Sequence, residues 1–190
     1  WQAVEPYFTP ISETAAVLAE LKAQGKIRAI GAANVTVDHI REYLRWGSLD
    51  LVQAKYSILD RAVEEELLPV CRENGITLQA YSPLEQGLLS GTLPRDYVPQ
   101  GAQCNKKWFQ PENMPRAMDM MDSWKPLCEK YHCTIANLAL AWILSQGEFI
   151  NILSGATTRE QLAENVRSAE IALSPEDAAW MRRQAEALDK

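Results

Sequence analysis

Residues 26–84, KIRAIGAANVTVDHIREYLRWGSLDLVQAKYSILDRAVEEELLPVCRENGITLQAYSPL, alternate short apolar runs with amphipathic stretches. Lys26-Ile27-Arg28-Ala29-Ile30-Gly31 reads as a strand, Leu49 to Ala54 as a second and Ile76 to Tyr81 as a third. A helix between the first two is capped by Thr36, carries Ile40, Tyr43 and Leu44 on one face and stops at Gly47. A second helix carries Val63, Leu67, Val70 and Cys71 and ends at Gly75. The strands start near 27, 51 and 76, a period of about 25 residues, which is one strand, one helix and two short loops. Such alternation specifies an α/β fold with a parallel sheet and right-handed crossovers.

The pattern extends outward from this segment. Upstream, Thr9 as cap and Pro10 as first helical residue open a helix that carries Val17, Leu18 and Leu21 and closes at Gly25. Downstream the period breaks over residues 82–115, a long loop rich in Gly, Pro, Gln and Asn with no regular element expected. Loops of that length in compact domains are usually functional or disordered. Arg116 to Tyr131 reads as a helix bent near Pro126. Thr134 caps an apolar helix with Ile135, Leu138, Trp142 and Ile143, and Phe149 to Leu153 is a fourth strand. Thr158-Arg159-Glu160-Gln161 is a capping box, and Ser174-Pro175-Glu176-Asp177 starts a final helix over residues 174–190. The expectation is one domain over residues 1–190, with four strands and about seven helices.

Composition narrows the function. The 190 residues include 25 acidic and 19 basic side chains, for a net charge of −6, and show no basic run; nucleic acid is not expected as a partner. With 47% hydrophobic and 23% charged residues the chain has the material for a core. No stretch of about 18 apolar residues suggests a membrane span, and four cysteines do not make a disulfide framework. The cytoplasm is the expected compartment. The chain opens on Trp1 rather than Met, so processing or a missing upstream segment is expected.

Five segments carry a more specific signal: KIRAIGAANV, DLVQAKYSILDR, LQAYSPLEQGLLSG, LALAWILSQ and ILSGATTREQLAENV, in that order. Together they resemble the aldo-keto reductase family, and within it the bacterial reductases of small aldehydes of the methylglyoxal reductase type. The resemblance implies a (β/α)8 barrel binding a nicotinamide cofactor at the C-terminal ends of its strands. The four strands here correspond to strands five to eight: the C-terminal half of the barrel, a parallel four-stranded half-barrel plus a C-terminal helix. Trp1 matches the tryptophan after the family's catalytic histidine. The catalytic Asp, Tyr, Lys and His belong to the first four strands, so no catalytic residue is assigned to this chain. Lys55 and Tyr56 are the only candidates placed near the right rim to substitute for the acid; His39 and His132 read as solvent-facing and structural.

For the cofactor, the resemblance implies that Asn34 and Gln53 hold the nicotinamide carboxamide, which needs a donor and an acceptor together. Ala33 stands where the family commonly has Ser. Tyr81 would stack on the nicotinamide ring, and Ser82, Leu84, Gln86 and Gly87 would wrap the pyrophosphate. Gly155, Thr157, Gln161, Glu164 and Asn165 would meet the adenosine end, where a helix N-terminus is a ready anion site. Each has a plainer reading: Asn34 as a left-handed turn residue, Gln53 as a satisfied polar, Tyr81 as a strand aromatic and Ser82-Pro83 as an ordinary turn. With Gly155, Thr157 and Gln161 where NADPH-preferring members carry Lys or Arg, NADH is slightly favoured over NADPH.

Other clusters are weaker. Cys128-x4-Cys133 with His132 fits no standard zinc spacing, and no metal site is assigned. Trp142 and Trp180 read as core, whereas Trp108 either lines a substrate pocket or pins the long loop. Two functions therefore stand: the cofactor-binding half of an NAD(P)H-dependent reductase of small carbonyl compounds, or a non-catalytic half-barrel that self-associates or binds nucleotide. A homodimer through exposed apolar sheet surfaces is expected.

Overall fold

A computed structural model describes residues 9–189. Its contacts divide these residues into two compact units, the first over 9–55, 61–81 and 149–151 and the second over 56–60, 82–148 and 152–189.

The first unit carries β1 (Gly31–Ala33), β2 (Leu51–Lys55) and β3 (Thr77–Tyr81), with α1 (Ile11–Ala23), α2 (Val37–Trp46) and α3 (Leu67–Glu73). β4 (Ile150–Leu153) gives its first two residues to this unit. The sheet runs β1-β2-β3-β4. β1 and β2 are parallel with Gly31 opposite Leu51, and β2 and β3 are parallel with Leu51 opposite Thr77. Side chains alternate across it. Val52, Ala54, Leu78 and Ala80 are buried on one face, whereas Gln53, Lys55, Gln79 and Tyr81 on the other are partly exposed.

That alternation corrects the expectation of an apolar open sheet. The accessible face carries Gln53, Lys55, Gln79 and Tyr81, polar residues where exposed apolar surface was expected. The first strand also differs from its expected bounds, starting at Gly31 rather than Lys26. The carboxylate of Asp50 accepts the Ile30 N–H at 2.7 Å and Lys22 Nζ at 2.7 Å, while the Ile30 carbonyl accepts the Asp50 and Leu51 N–H groups at 2.9 and 3.2 Å, so a side chain takes the donor of the residue before Gly31.

Helix caps follow the sequence closely, with Thr36, Thr134, Thr158 and Ser174 each accepting an N–H at the start of its helix. His39 completes the first of these as a capping box, its Nδ1 accepting from Thr36 N–H at 3.2 Å, rather than only facing solvent. Pro10, expected inside α1, is instead its N-cap, and offers no side-chain oxygen there.

In the second unit, α6 (Ile135–Leu144) is buried along almost its whole length. The helix expected over 116–131 is two helices, α4 (Met114–Ser123) and α5 (Lys125–Tyr131), broken at the buried Trp124 and with Pro126 in the first turn of α5. α7 (Arg159–Arg167) and α8 (Pro175–Glu186) complete it. The long loop contains three short 3-10 turns, Glu85–Ser90, Gly101–Asn105 and Lys107–Phe109, where none was expected. Trp108 is buried and donates through Nε1 to Leu59 O at 3.1 Å, so it pins the loop. Trp142 is core, as expected, but Trp180 is only half-buried.

Candidate functional site

A cleft of about 700 Å³ lies wholly within the second unit. Its wall is built from the loop after β3, the first residues of α6, and the β4–α7 connection with the first turns of α7. Of the sequence-derived residues, Ser82, Leu84, Gln86 and Gly87 line one side, and Gly155, Gln161, Glu164 and Asn165 line the other. Thr157 does not line it, but its N–H and hydroxyl both donate to Gln161 Oε1, at 2.8 and 2.9 Å. This replaces the second half of the expected capping box, because the Gln161 side chain is spent on Thr157 rather than on the Thr158 N–H.

The loop owes its path to unusual backbone. Ser82, Glu85 and Gln86 are non-glycine residues at φ values of 53°, 46° and 53°, and Gly87 follows at 95°. Left-handed conformations in non-glycine residues are uncommon and cost free energy, so the surrounding bonds must hold them. A Cβ at Gly87 would meet nothing within 4 Å, so open space lies in front of its backbone. At Gly91, also left-handed at 71°, a Cβ would fall 2.8 Å from Ile135 Cδ1, and only glycine lets the loop approach α6 this closely.

On the opposite wall the helix start is polar. Thr158 accepts the Gln161 N–H at 3.2 Å, and Asn165 Nδ2 donates to Gly155 O at 3.2 Å. Glu164 Oε1 accepts the Thr134 hydroxyl at 2.9 Å, which ties α7 to the cap of α6. The Glu160 carboxyl is held below its usual range by its own backbone N–H and by Thr158, as suits an acid in the first turn of a helix. Helix starts on this wall offer partial positive charge to an anion.

The other three predicted residues meet within the first unit. Asn34 sits at φ 55°, as its plainer reading anticipated, and its N–H donates to Gln53 O at 2.9 Å. Its Oδ1 accepts the Tyr81 hydroxyl at 2.9 Å. Gln53 Nε2 donates to Gln79 Oε1 at 2.8 Å, and Gln79 Nε2 donates to Asn151 Oδ1 at 3.0 Å, so a row of amides crosses three strands. Among the described residues this leaves the Asn34 amide nitrogen as a donor and the Gln53 amide oxygen as an acceptor, on adjacent strand ends.

The structure also weighs the residues considered as substitute acids. Tyr56 is 0% exposed, with its ring 5.9 Å from that of Trp142, and cannot meet a substrate where it stands. His132 is the left-handed C-cap of α5. Among the described residues no group of His, Cys, Asp and Glu is placed to hold a metal ion. Sequence reasoning missed Ser90, Thr92 and Thr134, which line the cleft, and Glu85, which is turned inward between two cleft residues. The Ser90-Gly91-Thr92 triplet was the available signal for the first two.

The family model for the Aldo/keto reductase family matches residues 3–186. The chain belongs to that family. It is 66% identical over all 190 residues to the NADH-specific methylglyoxal reductase of Escherichia coli (strain K12), covering 58% of that protein. It is 34% identical to probable aldo-keto reductase 1 of Glycine max, with 88% of this chain and 49% of that protein aligned. Among solved structures, glycerol dehydrogenase from Gluconobacter oxydans superposes with a TM-score of 0.89 at 26% identity over 98% of this chain and 56% of that one. An aldo-keto reductase from Klebsiella pneumoniae in complex with NADPH gives 0.68 at 25% identity over 96% of this chain and 56% of that one. The chain thus spans about half the length of the relatives it matches. Among the described residues no helix is long and apolar enough to cross a membrane.

Proposed function

We propose that this chain supplies the dinucleotide-holding half of an aldo-keto reductase that reduces small aldehydes with NADH, corresponding to strands five to eight of the family barrel. The reading for NADH over NADPH is carried by one observation. Glu164 is the one charged side chain among the residues lining the cleft, and no Lys or Arg joins it. A 2′-phosphate on the ribose would meet no Lys or Arg within the lining and one carboxylate, itself paired with Arg167 at 3.4 Å, an arrangement that favours NADH.

Each unit, taken by itself, carries residues that fit a part of such a cofactor. Asn34 Nδ2 and Gln53 Oε1 offer the donor and acceptor that a carboxamide requires. The open space before Gly87 admits close approach of a pyrophosphate to the loop backbone. Bound NADH supplies the hydride. The chain's own part is to bind and orient: Tyr81, held by Asn34, presents an aromatic face, and Gln161, held by Thr157, keeps a neutral side chain at the adenosine end. The acid that protonates the carbonyl oxygen is placed, in this reading, with the family's Asp, Tyr, Lys and His set outside these residues, and Tyr56, being buried, does not replace it. The relative named for methylglyoxal supports a small, unbranched carbonyl substrate.

The test is titration of the purified chain with NADH and NADPH, read by nicotinamide fluorescence. NADH binding with at least tenfold preference, about 1.4 kcal/mol, supports the reading; equal binding of both overturns the NADH part, and binding of neither overturns the whole.

A further inference from the structure

We propose that Glu85 is a positioning residue for the pyrophosphate, acting through a buried bond to Ser57; this rests on the dinucleotide reading above. Glu85 lies between Leu84 and Gln86, both of which line the cleft, yet it is only 4% exposed and turns away from it. Its Oε1 accepts the Ser57 hydroxyl at 2.6 Å, and Ser57 is 0% exposed. The same Ser57 oxygen accepts the N–H groups of Leu59 at 3.2 Å and Asp60 at 3.0 Å. The hydroxyl is therefore fixed in direction, with its proton aimed at Glu85.

This pair sits where the loop needs an anchor. Glu85 is itself at φ 46°, and Gln86 and Gly87 continue in left-handed backbone at 53° and 95°. Non-glycine residues do not hold that conformation unaided. The loop's own bonds, Glu85 N–H to Ser82 O at 3.0 Å and Gly87 N–H to Leu84 O at 3.0 Å, close two tight turns but do not fix them to the body of the unit. The Ser57–Glu85 bond does, from a turn 28 residues earlier in the chain. A second fastening acts on the next residue: Gln103 Nε2 donates to Gln86 O at 3.1 Å, and Gln103 Oε1 accepts the Tyr97 hydroxyl at 2.8 Å. Glu85 thus never touches the ligand. It holds the backbone on either side in the one shape whose open face lies before Gly87, and a loop already in its bound shape spares the ligand the cost of ordering it.

The experiment is a ligand comparison on the full chain with Glu85→Ala, Glu85→Gln and Ser57→Ala, each checked by its thermal unfolding midpoint. NADH and ADP-ribose engage the pyrophosphate loop; 5′-AMP reaches only the adenosine wall. The expected result for Glu85→Ala is a loss of about tenfold in NADH and ADP-ribose affinity, with 5′-AMP affinity within about twofold. Glu85→Gln keeps an oxygen for the Ser57 hydroxyl and restores most of the loss. Ser57→Ala lowers NADH and ADP-ribose affinity and spares 5′-AMP in the same way, and adds little to Glu85→Ala in the double variant. Parallel loss of all three ligands, or no loss of NADH, overturns the proposal while leaving the dinucleotide reading intact. A wild-type chain that binds neither NADH nor ADP-ribose overturns both.

Discussion

The Tyr81 hydroxyl donates to Asn34 Oδ1 across 2.9 Å, so the last residue of β3 orients the side chain that follows β1. Asn34 is itself in left-handed backbone at φ 55°. Two roles are combined there, and two substitutions separate them. Asn34→Gly keeps the backbone conformation and loses the amide, so the fold is retained within about 0.5 kcal/mol while NADH affinity falls. Asn34→Val loses both and costs a further 1–2 kcal/mol, roughly the penalty of forcing a branched residue left-handed. Urea unfolding alongside NADH titration reads the two effects.

Cofactor choice is expected to be reversible at the adenosine wall. A Cβ at Gly155 meets nothing within 4 Å, so a long basic side chain fits there. Gly155→Lys combined with Gln161→Arg is expected to tighten NADPH by about tenfold or more with little change in NADH, since two cations then face the extra phosphate. Competitive titration of the two nucleotides checks this.

Gly91 is expected to be the least replaceable glycine of the cleft. Alanine there carries a left-handed φ of 71° and a Cβ within 2.8–2.9 Å of Ile135 side-chain atoms. Gly91→Ala should destabilise the protein by about 2–4 kcal/mol. Gly87→Ala, facing open space, should cost about 1–2 kcal/mol from its backbone alone. Thermal or urea unfolding orders the two.

Acid lability should trace to Asp177. Lys130 Nζ at 2.6 Å, the Tyr131 hydroxyl and Ser174 hold its carboxyl below the usual range, and they join the end of α5 to the start of α8. A depressed carboxylate stabilises the fold fully above its unfolded value of about 3.9, and that contribution is lost as pH falls through the lower folded value. Asp177→Asn should lower stability by about 1–2 kcal/mol at pH 7 and flatten the loss below pH 4. Urea midpoints from pH 7 to pH 3 test the sign.

The four cysteines should react in an order set by burial. Cys104 is exposed, whereas burial pushes the Cys71 thiol up to about 11 and raises those of Cys128 and Cys133. A disulfide-exchange reagent at pH 8 should titrate one thiol quickly and Cys71 only on unfolding. Cys104→Ser removing the fast phase confirms the assignment.

The parallel strand succession, the caps at Thr36, Thr134, Thr158 and Ser174 and eight of the residues that line the cleft were legible from the chain, because hydrophobic period, cap chemistry and the family segments all leave local marks. What was not legible depends on distant partners. Ile30, just before β1, gives its N–H to the side chain of Asp50, twenty residues further on. The turns inside residues 82–115 are held by Gln103, Gln110 and Asn113 donating to backbone carbonyls, which leaves no periodicity to read. Glu85, flanked by cleft residues, gave no sign that it points inward to Ser57. Tyr56 followed a strand at the expected rim, yet its ring packs on Trp142 instead.

Native mass spectrometry of the chain with NADH and with NADPH reads both parts of the proposal, that these residues hold a dinucleotide and that they favour NADH. One NADH bound per chain is expected, with NADPH retained at least tenfold more weakly at equal concentration. A chain that retains neither nucleotide, or prefers NADPH, contradicts it.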